Sequence, residues 1–170
     1  SMFGMASKFN GDISKWDVGK VTNMYTMFSG AEKFNQDLSK WDVSDVTNMK
    51  YMFNDAKSFN QDLSKWDVSK VTDMNSMFKD ASVFNGDISK WLTKGHSEVT
   101  NMYAMFWRAS AFNQPLATWD VSKVTTMNHM FYDATKFDQD LSKWDTSKVT
   151  NCLLYTSDAA DEGLGVDLGG

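Results

Sequence analysis

Residues 34–58 read FNQDLSKWDVSDVTNMKYMFNDAKS, and the chain of 170 residues is built from recurrences of this stretch. The next recurrence begins FNQDLSKWDVSKVTDMNSMF at Phe59. A period of this length is typical of repeat proteins whose units stack side by side and share one core. One tryptophan marks each unit, with spacings of 25, 25, 25, 28 and 25 residues: Trp16, Trp41, Trp66, Trp91, Trp119 and Trp144. We expect these tryptophans to line up in the core.

The recurrences predict one stacked array over residues 1–151, cut through a unit at both ends. Residues 152–170, CLLYTSDAADEGLGVDLGG, break the repeat. They resemble a translated transposase-type sequencing adapter, which predicts a non-native tail. The tail holds four of the 22 acidic residues and none of the 17 basic ones, so the repeats themselves carry 18 acids and 17 bases.

Each unit contains an apolar spacing that is typical of a helix. Met49, Met52, Phe53 and Ala56 stand at positions i, i+3, i+4 and i+7, which would place them on one helical face. Thr47 precedes them and is suited to cap a helix N-terminus. The pattern predicts a short helix in every unit, with its methionines and phenylalanine in the core.

The stretch LSKWDVS, residues 38–44, predicts a strand. In an extended chain, Trp41 and Val43 would point to the core while the charged residues between them would point outward. Stacked strands would form a parallel sheet whose outer face carries columns of lysine and aspartate. This polar face is one predicted partner-binding surface, with Lys40, Asp42, Lys65 and Asp67 as its candidate residues.

A family resemblance supports the same architecture. LSKWDVSDV resembles the L-x-x-L-x-L-x-x-N pattern of a leucine-rich repeat, with Val46 where asparagine is usual. The signature WDVS-x-VT-x-M-x-x-MF-x-x-A-x-x-FN resembles the BspA-like leucine-rich-repeat surface proteins, including mycoplasma-type repeats of unknown function. The resemblance implies an α/β fold, a right-handed solenoid with a parallel β-sheet on one face and short helices on the other. It also implies a cell-surface or secreted location.

The substitution at Val46 bears on the backbone. The asparagine that usually satisfies amide groups in a leucine-rich repeat is missing there, so another side chain is needed for that role. We expect the turn asparagines to fill it: Asn10, Asn35, Asn60, Asn85 and Asn113.

Composition argues against several functional classes. A nearly balanced charge gives no basic stripe for nucleic acid, and no apolar stretch reaches the roughly 18 residues of a membrane span. The single cysteine, Cys152, lies in the tail, so the repeats have no thiolate site. His96 and His129 are the only histidines, and no nucleophile, phosphate-loop or metal-ligand spacing accompanies them. We therefore predict no enzyme activity, no cofactor and no bound metal.

The period breaks at residues 91–98, WLTKGHSE, where the unit carries three extra residues. Insertions in stacked repeats often lie on the binding face. The following unit adds the unusual pair Trp107-Arg108. Ordinary drift within a repeat array explains these changes equally well. The functional interpretation gives four further contact candidates: Leu92, His96, Trp107 and Arg108.

Together these features predict a non-enzymatic module that binds or adheres to a protein partner. A structural spacer that holds other domains apart is an alternative. A calcium- or ice-binding solenoid is another, because Asn35-x-Asp37 recurs in the turns and one threonine recurs in every unit. The uncovered end units also predict end-to-end self-association.

Overall fold

A computed structural model describes residues 2–150, which form a stack of irregular coils. One coil corresponds to one repeat, because hydrogen bonds join residues 25 positions apart, such as the Thr47 hydroxyl and the Thr22 carbonyl. Residues 2–150 contain no α-helix and no extended strand. Isolated parallel bridges link one residue of each coil to the next: Asn23, Asn48, Asp73, Asn101 and Thr126.

The predicted α/β fold is therefore wrong. The described residues form neither the parallel β-sheet nor the short helices of a right-handed leucine-rich-repeat-like solenoid. What the structure shows instead is a series of hydrogen-bonded turns in each coil, tied to the neighbouring coils through the backbone. The reason lies in two segments of the repeat, at residues 49–56 and 37–46.

Residues 49–56, predicted as a helix, use their amides in two different ways. Every second amide N–H donates to the next coil, as from Tyr51 to the Asn75 carbonyl at 2.9 Å and from Phe53 to the Met77 carbonyl at 2.9 Å. The intervening amides close tight turns, as from Met52 back to the Met49 carbonyl at 3.1 Å. In an α-helix these amides would instead donate to carbonyls four residues earlier in the same segment. The segment therefore lacks helical hydrogen bonds and forms hydrogen bonds to the next coil in their place.

Two left-handed residues in each coil make this geometry possible. Tyr51 has φ 57° and Asp55 has φ 59°, and both values lie outside the range of a right-handed helix. The apolar spacing is nevertheless satisfied, because successive three-residue turns also return side chains to the same side. Met49, Met52 and Phe53 are accordingly all 0% exposed.

The predicted strand at residues 38–44 is also absent. The Asp37 carboxylate accepts the Ser39 amide at 2.8 Å, and the Trp41 amide donates to the Leu38 carbonyl at 3.0 Å. These bonds turn the backbone where a strand would continue straight. The inside and outside positions still follow the sequence alternation, because Trp41 is 4% exposed and Asp42 is exposed.

Two ladders of polar side chains join the coils. Each turn asparagine accepts an amide from the next coil, as Asn35 Oδ1 does from the Asn60 N–H at 2.9 Å, which confirms the role predicted for it. The repeated threonine is not a helix cap. Its amide and its hydroxyl both donate to the threonine carbonyl of the preceding coil, at 2.8 and 3.2 Å for Thr47 and Thr22.

Stacked aromatic rings fill the interior. The rings of Phe53 and Phe59 lie 4.0 Å apart within one coil. Phe53 stacks on Phe78 of the next coil at 5.6 Å, and Phe59 stacks on Phe84 at 6.0 Å. These contacts recur along two columns: Phe3, Phe28, Phe53, Phe78, Phe106 and Phe131, and Phe9, Phe34, Phe59, Phe84, Phe112 and Phe137.

The repeated tryptophans border these columns. Trp66 stacks on Trp91 at 6.2 Å, and its indole Nε1–H donates to the Leu38 carbonyl of the preceding coil at 3.0 Å. Trp41, Trp66, Trp91, Trp119 and Trp144 are between 1% and 6% exposed. Trp16, in the first tryptophan-marked coil, is 42% exposed. Burial in this column thus depends on the preceding coil, because Trp144 packs on Trp119 and is buried, whereas no tryptophan-marked coil precedes Trp16.

Replacing a central tryptophan should destabilise the whole stack. Trp66→Ala removes the ring contact with Trp91 and leaves the Leu38 carbonyl without its indole donor, so we expect a loss of about 3–5 kcal/mol in the free energy of unfolding. The matched control is Trp16→Ala, which should lose less than half as much because that side chain is already partly in water. Urea unfolding followed by circular dichroism measures both. Similar losses for the two variants would contradict this account of the core.

Candidate functional site: a partner-binding surface

The predicted polar face is exposed, but its aspartates are already engaged. Lys40, Asp42, Lys65 and Asp67 all lie at the surface. Asp42 Oδ1 accepts the Ser44 amide at 3.1 Å and the Ser44 hydroxyl at 2.7 Å. Asp67 Oδ1 accepts an amide two residues ahead in the same way. These carboxylates hold turns closed, and the same arrangement recurs from coil to coil.

The turn bonds also change the acidity of the aspartates. The hydrogen bond from the Ser39 amide lowers the pKa of Asp37, and the hydroxyl of Ser44 does the same for the pKa of Asp42. In each case the donor favours the charged carboxylate. The same direction of pKa shift applies to Asp12, Asp87, Asp120, Asp140 and Asp145.

Ion pairs between coils lie in a neighbouring column. Lys70 Nζ is 2.6 Å from Asp45, and Lys123 Nζ is 2.7 Å from Glu98, one coil away in each case. All four side chains are about half exposed, so solvent screens each pair and its contribution to stability is small. These pairs help to fix the register of the coils and offer little to a partner.

The irregular segment 91–98 folds back on the stack. Leu92, predicted as a contact residue, is 2% exposed and belongs to the core. Its carbonyl accepts the Asp120 amide at 2.7 Å, and the Asp120 carboxylate in turn accepts the Gly95 amide at 3.0 Å. His96 is exposed at the tip of this segment. Of the two contact residues predicted in this segment, only His96 is therefore at the surface.

Trp107 and Arg108 lie beside aromatic residues that are not among the contacts predicted from sequence. The Trp107 ring is 5.2 Å from the His129 ring and 5.0 Å from the Tyr132 ring. Tyr103 meets His129 edge-on at 5.9 Å. All four rings are partly buried. We call Tyr103, Trp107, His129 and Tyr132 the aromatic patch.

The aromatic patch combines residues from two coils at outward-facing positions of the repeat. Trp107 and Tyr132 occupy the same position in successive coils, and the preceding coils place Lys79, Asn54 and Ser29 there. The signal for the patch was present in the sequence as a cluster of aromatic residues at the positions that differ most between units.

A shallow groove runs beside the aromatic patch, with a volume of about 570 Å³. Five of its seven lining residues are charged, three of them basic and two acidic. Two of its cations, Lys79 and Arg108, also lie against Trp107, so the groove and the patch form one continuous surface. The lining residues are Asn54, Asp55, Lys57, Lys79, Asp80, Ser82 and Arg108.

Several buried polar atoms on this surface have no hydrogen-bond partner. They include Trp107 Nε1, His129 Nδ1 and the Oδ1 atom of Asn128, a residue that is only 7% exposed. Leaving a buried donor or acceptor unpaired costs about 1–3 kcal/mol. Each such atom in a folded structure calls for an explanation. The aromatic patch holds two of the five in residues 2–150, and the other two besides Asn128 Oδ1 are Asn75 Oδ1 and Ser97 Oγ.

The described part of the chain shows no group of three or more histidine, cysteine or acidic side chains that could hold a metal ion. Residues 2–150 also include no helix of the length and apolarity that a membrane crossing would require.

Comparison with known proteins identifies a family model. The model described as "Mycoplasma protein of unknown function, DUF285" matches residues 1–97 and residues 95–161. The second match includes residues 152–161 of the predicted non-native tail, which lies outside the described residues. No curated protein matches the chain.

The lowered pKa values predict a loss of stability in acid. An aspartate whose pKa is lower in the folded state stabilises the fold above the ordinary carboxyl pKa of about 3.9, and this contribution disappears as the pH falls through the lower folded-state pKa. We expect the urea midpoint to hold steady down to about pH 5 and to fall below about pH 4.

The variant Asp37→Asn/Asp42→Asn/Asp87→Asn tests the cause. Asparagine still accepts the serine amides but cannot titrate, so the acid-induced fall in the urea midpoint should be smaller than in the parent protein. An identical fall in both proteins would show that these turn aspartates are not responsible.

Proposed function

The chain belongs to a mycoplasma-type repeat family of unknown function, and from its surface chemistry we propose that it is a non-enzymatic module that binds a protein partner. The binding surface is the aromatic patch with its adjoining groove. We also propose a cell-surface or secreted location, on the resemblance to BspA-like leucine-rich-repeat proteins alone.

The observation that carries the proposal is the contrast between repeated and varied positions. Phe106 has phenylalanine at the equivalent position of each neighbouring coil, because that position stacks in the core. The next residue, Trp107, has a different residue in each preceding coil. A scaffold of identical coils can present any side chain at such a position without cost to its core. That freedom suits recognition by a surface.

The composition of the patch supports a protein partner. Tryptophan, tyrosine and arginine are the residues that most often dominate the energetics of protein interfaces, and this surface places Trp107, Tyr132 and Arg108 together. Aromatic side chains lose little conformational entropy on binding, and Tyr and Trp each add a polar atom.

The regularity of the polar face favours the structural spacer as a second candidate. Its aspartates close turns, and its threonine hydroxyls donate to the preceding coil. The same engagement argues against the calcium- and ice-binding alternatives, because these oxygen atoms already take part in bonds within the stack. A spacer needs the repeated positions only and has no use for the aromatic patch.

Partner capture with matched variants tests the proposal. The patch variant is Trp107→Ser/Tyr132→Ser, and the control on the polar face is Lys40→Ser/Lys65→Ser. Each protein is immobilised, incubated with a whole-cell extract, and the retained proteins are identified by mass spectrometry. A protein retained by the parent is then purified, and its affinity is measured by calorimetry.

We expect the patch variant to bind the purified partner about tenfold or more weakly, since loss of interface tryptophan and tyrosine commonly costs 2 kcal/mol or more. The polar-face control should bind as the parent does. Unchanged thermal unfolding midpoints would show that both variants are folded. If the two variants lose affinity equally, the patch is not the binding surface; if the parent retains nothing above a blank matrix, the spacer function is favoured.

A further inference from the structure

Two cations lie beside the aromatic patch with unused hydrogen-bonding capacity. Lys79 Nζ lies 4.5 Å from the centre of the Trp107 ring, and it forms no ion pair with any other side chain of residues 2–150. The Arg108 guanidinium carbon lies 5.9 Å from the same ring. A cation held against an aromatic face keeps its N–H donors free for an anion.

Arg108 is only loosely paired. Its guanidinium nitrogens lie 3.7 Å from Asp80 and 3.7 Å from Asp133, whereas a direct charge-assisted hydrogen bond measures about 2.7–2.9 Å. Elsewhere in the stack, Lys70 and Asp45 do reach 2.6 Å. The planar guanidinium of Arg108 therefore retains donors for a carboxylate that approaches more closely.

The residue type at Arg108 differs from that of the neighbouring coils, although the backbone conformation is the same. Its φ of 55° lies in the left-handed region, which costs an ordinary side chain more than it costs glycine or aspartate. The coils before and after place Asp80 and Asp133 at the same position, with φ of 58° and 57°. The change from aspartate to arginine at this position places a cation between two carboxylates of the neighbouring coils.

An anionic partner group is indicated by one cation of the groove, Lys79. Each groove carboxylate already has a cation nearby, because Asp55 lies 3.4 Å from Lys57 and Asp80 lies 3.7 Å from Arg108. Lys79 has no carboxylate within 4.0 Å in the described part of the chain. Lys57 lies near Glu32 as well as Asp55, and Arg108 lies near Asp133 as well as Asp80. Lys79 is therefore the groove cation that is left without a carboxylate partner in residues 2–150.

We propose that this surface binds an acidic segment of the partner protein. A carboxylate of the segment lies between Lys79 and Arg108, and an apolar side chain next to it packs against Trp107 and Tyr132. The groove of about 570 Å³ gives the segment room beside the rings. This inference rests on the proposed function and adds the chemistry of the partner to it.

Peptide binding tests the charge of the partner. The probe is a fluorescein-labelled peptide of alternating Glu and Leu, and the comparison peptides replace Glu by Gln or by Lys. Fluorescence anisotropy gives the affinity of each peptide for the parent protein. The variants are Lys79→Gln/Arg108→Gln on the proposed surface and Lys40→Gln/Lys65→Gln on the polar face, which removes the same charge elsewhere.

We expect the Glu peptide to bind most tightly, with an affinity that falls as salt is added. The Lys79→Gln/Arg108→Gln variant should bind it about tenfold more weakly, and the polar-face variant should bind it as the parent does. Equal binding of the Gln peptide, tighter binding of the Lys peptide, no binding of the Glu peptide, or equal losses in both variants would each overturn the inference. The partner-capture result for Trp107→Ser/Tyr132→Ser would stand independently of these outcomes.

Discussion

The coil-to-coil hydrogen bond is the interaction on which the structure depends. Every second amide of the segment 49–56 donates to a carbonyl of the following coil, and the intervening amides close turns within the segment. A coil on its own would leave half of these donors unpaired and would expose the stacked rings above and below it. Folding is therefore a property of neighbouring coils together, as the contrast between Trp16 and Trp66 in exposure shows.

This dependence leaves the outward-facing positions free. Phenylalanine, asparagine and threonine recur because each bonds or stacks with its own equivalent in the next coil. Trp107 also meets its equivalent, Tyr132, but at a partly exposed position where the residue type varies from coil to coil. The aromatic patch and the loosely paired Arg108 occupy such free positions. The unusual surface residues thus lie at positions where stacking does not restrict the residue type. This is the physical reason for proposing that a partner binds there.

The sequence period indicated correctly which residues face inward and wrongly which backbone they adopt. The spacing of Met49, Met52 and Phe53 is satisfied by tight turns as well as by a helix, and periodicity alone does not reveal the left-handed φ of Tyr51 and Asp55. At residues 37–44 an aspartate stands two residues before a serine twice, and its carboxylate accepts the serine amide in each case. This spacing indicates a turn and argues against a strand. For the site, Trp107 and Arg108 could be selected from sequence, whereas His129 and Tyr132 join them only through stacking of one coil on the next.

The most direct measurement is the scalar coupling across hydrogen bonds in the isotopically labelled protein, detected between amide nitrogen and carbonyl carbon by nuclear magnetic resonance. The structure predicts that the Phe53 nitrogen couples to the carbonyl carbon of Met77 in the next coil. A helix would instead couple it to the residue four positions earlier, Met49. Coupling of Phe53 to Met49, with none to Met77, would contradict the account of coils held together by their backbones.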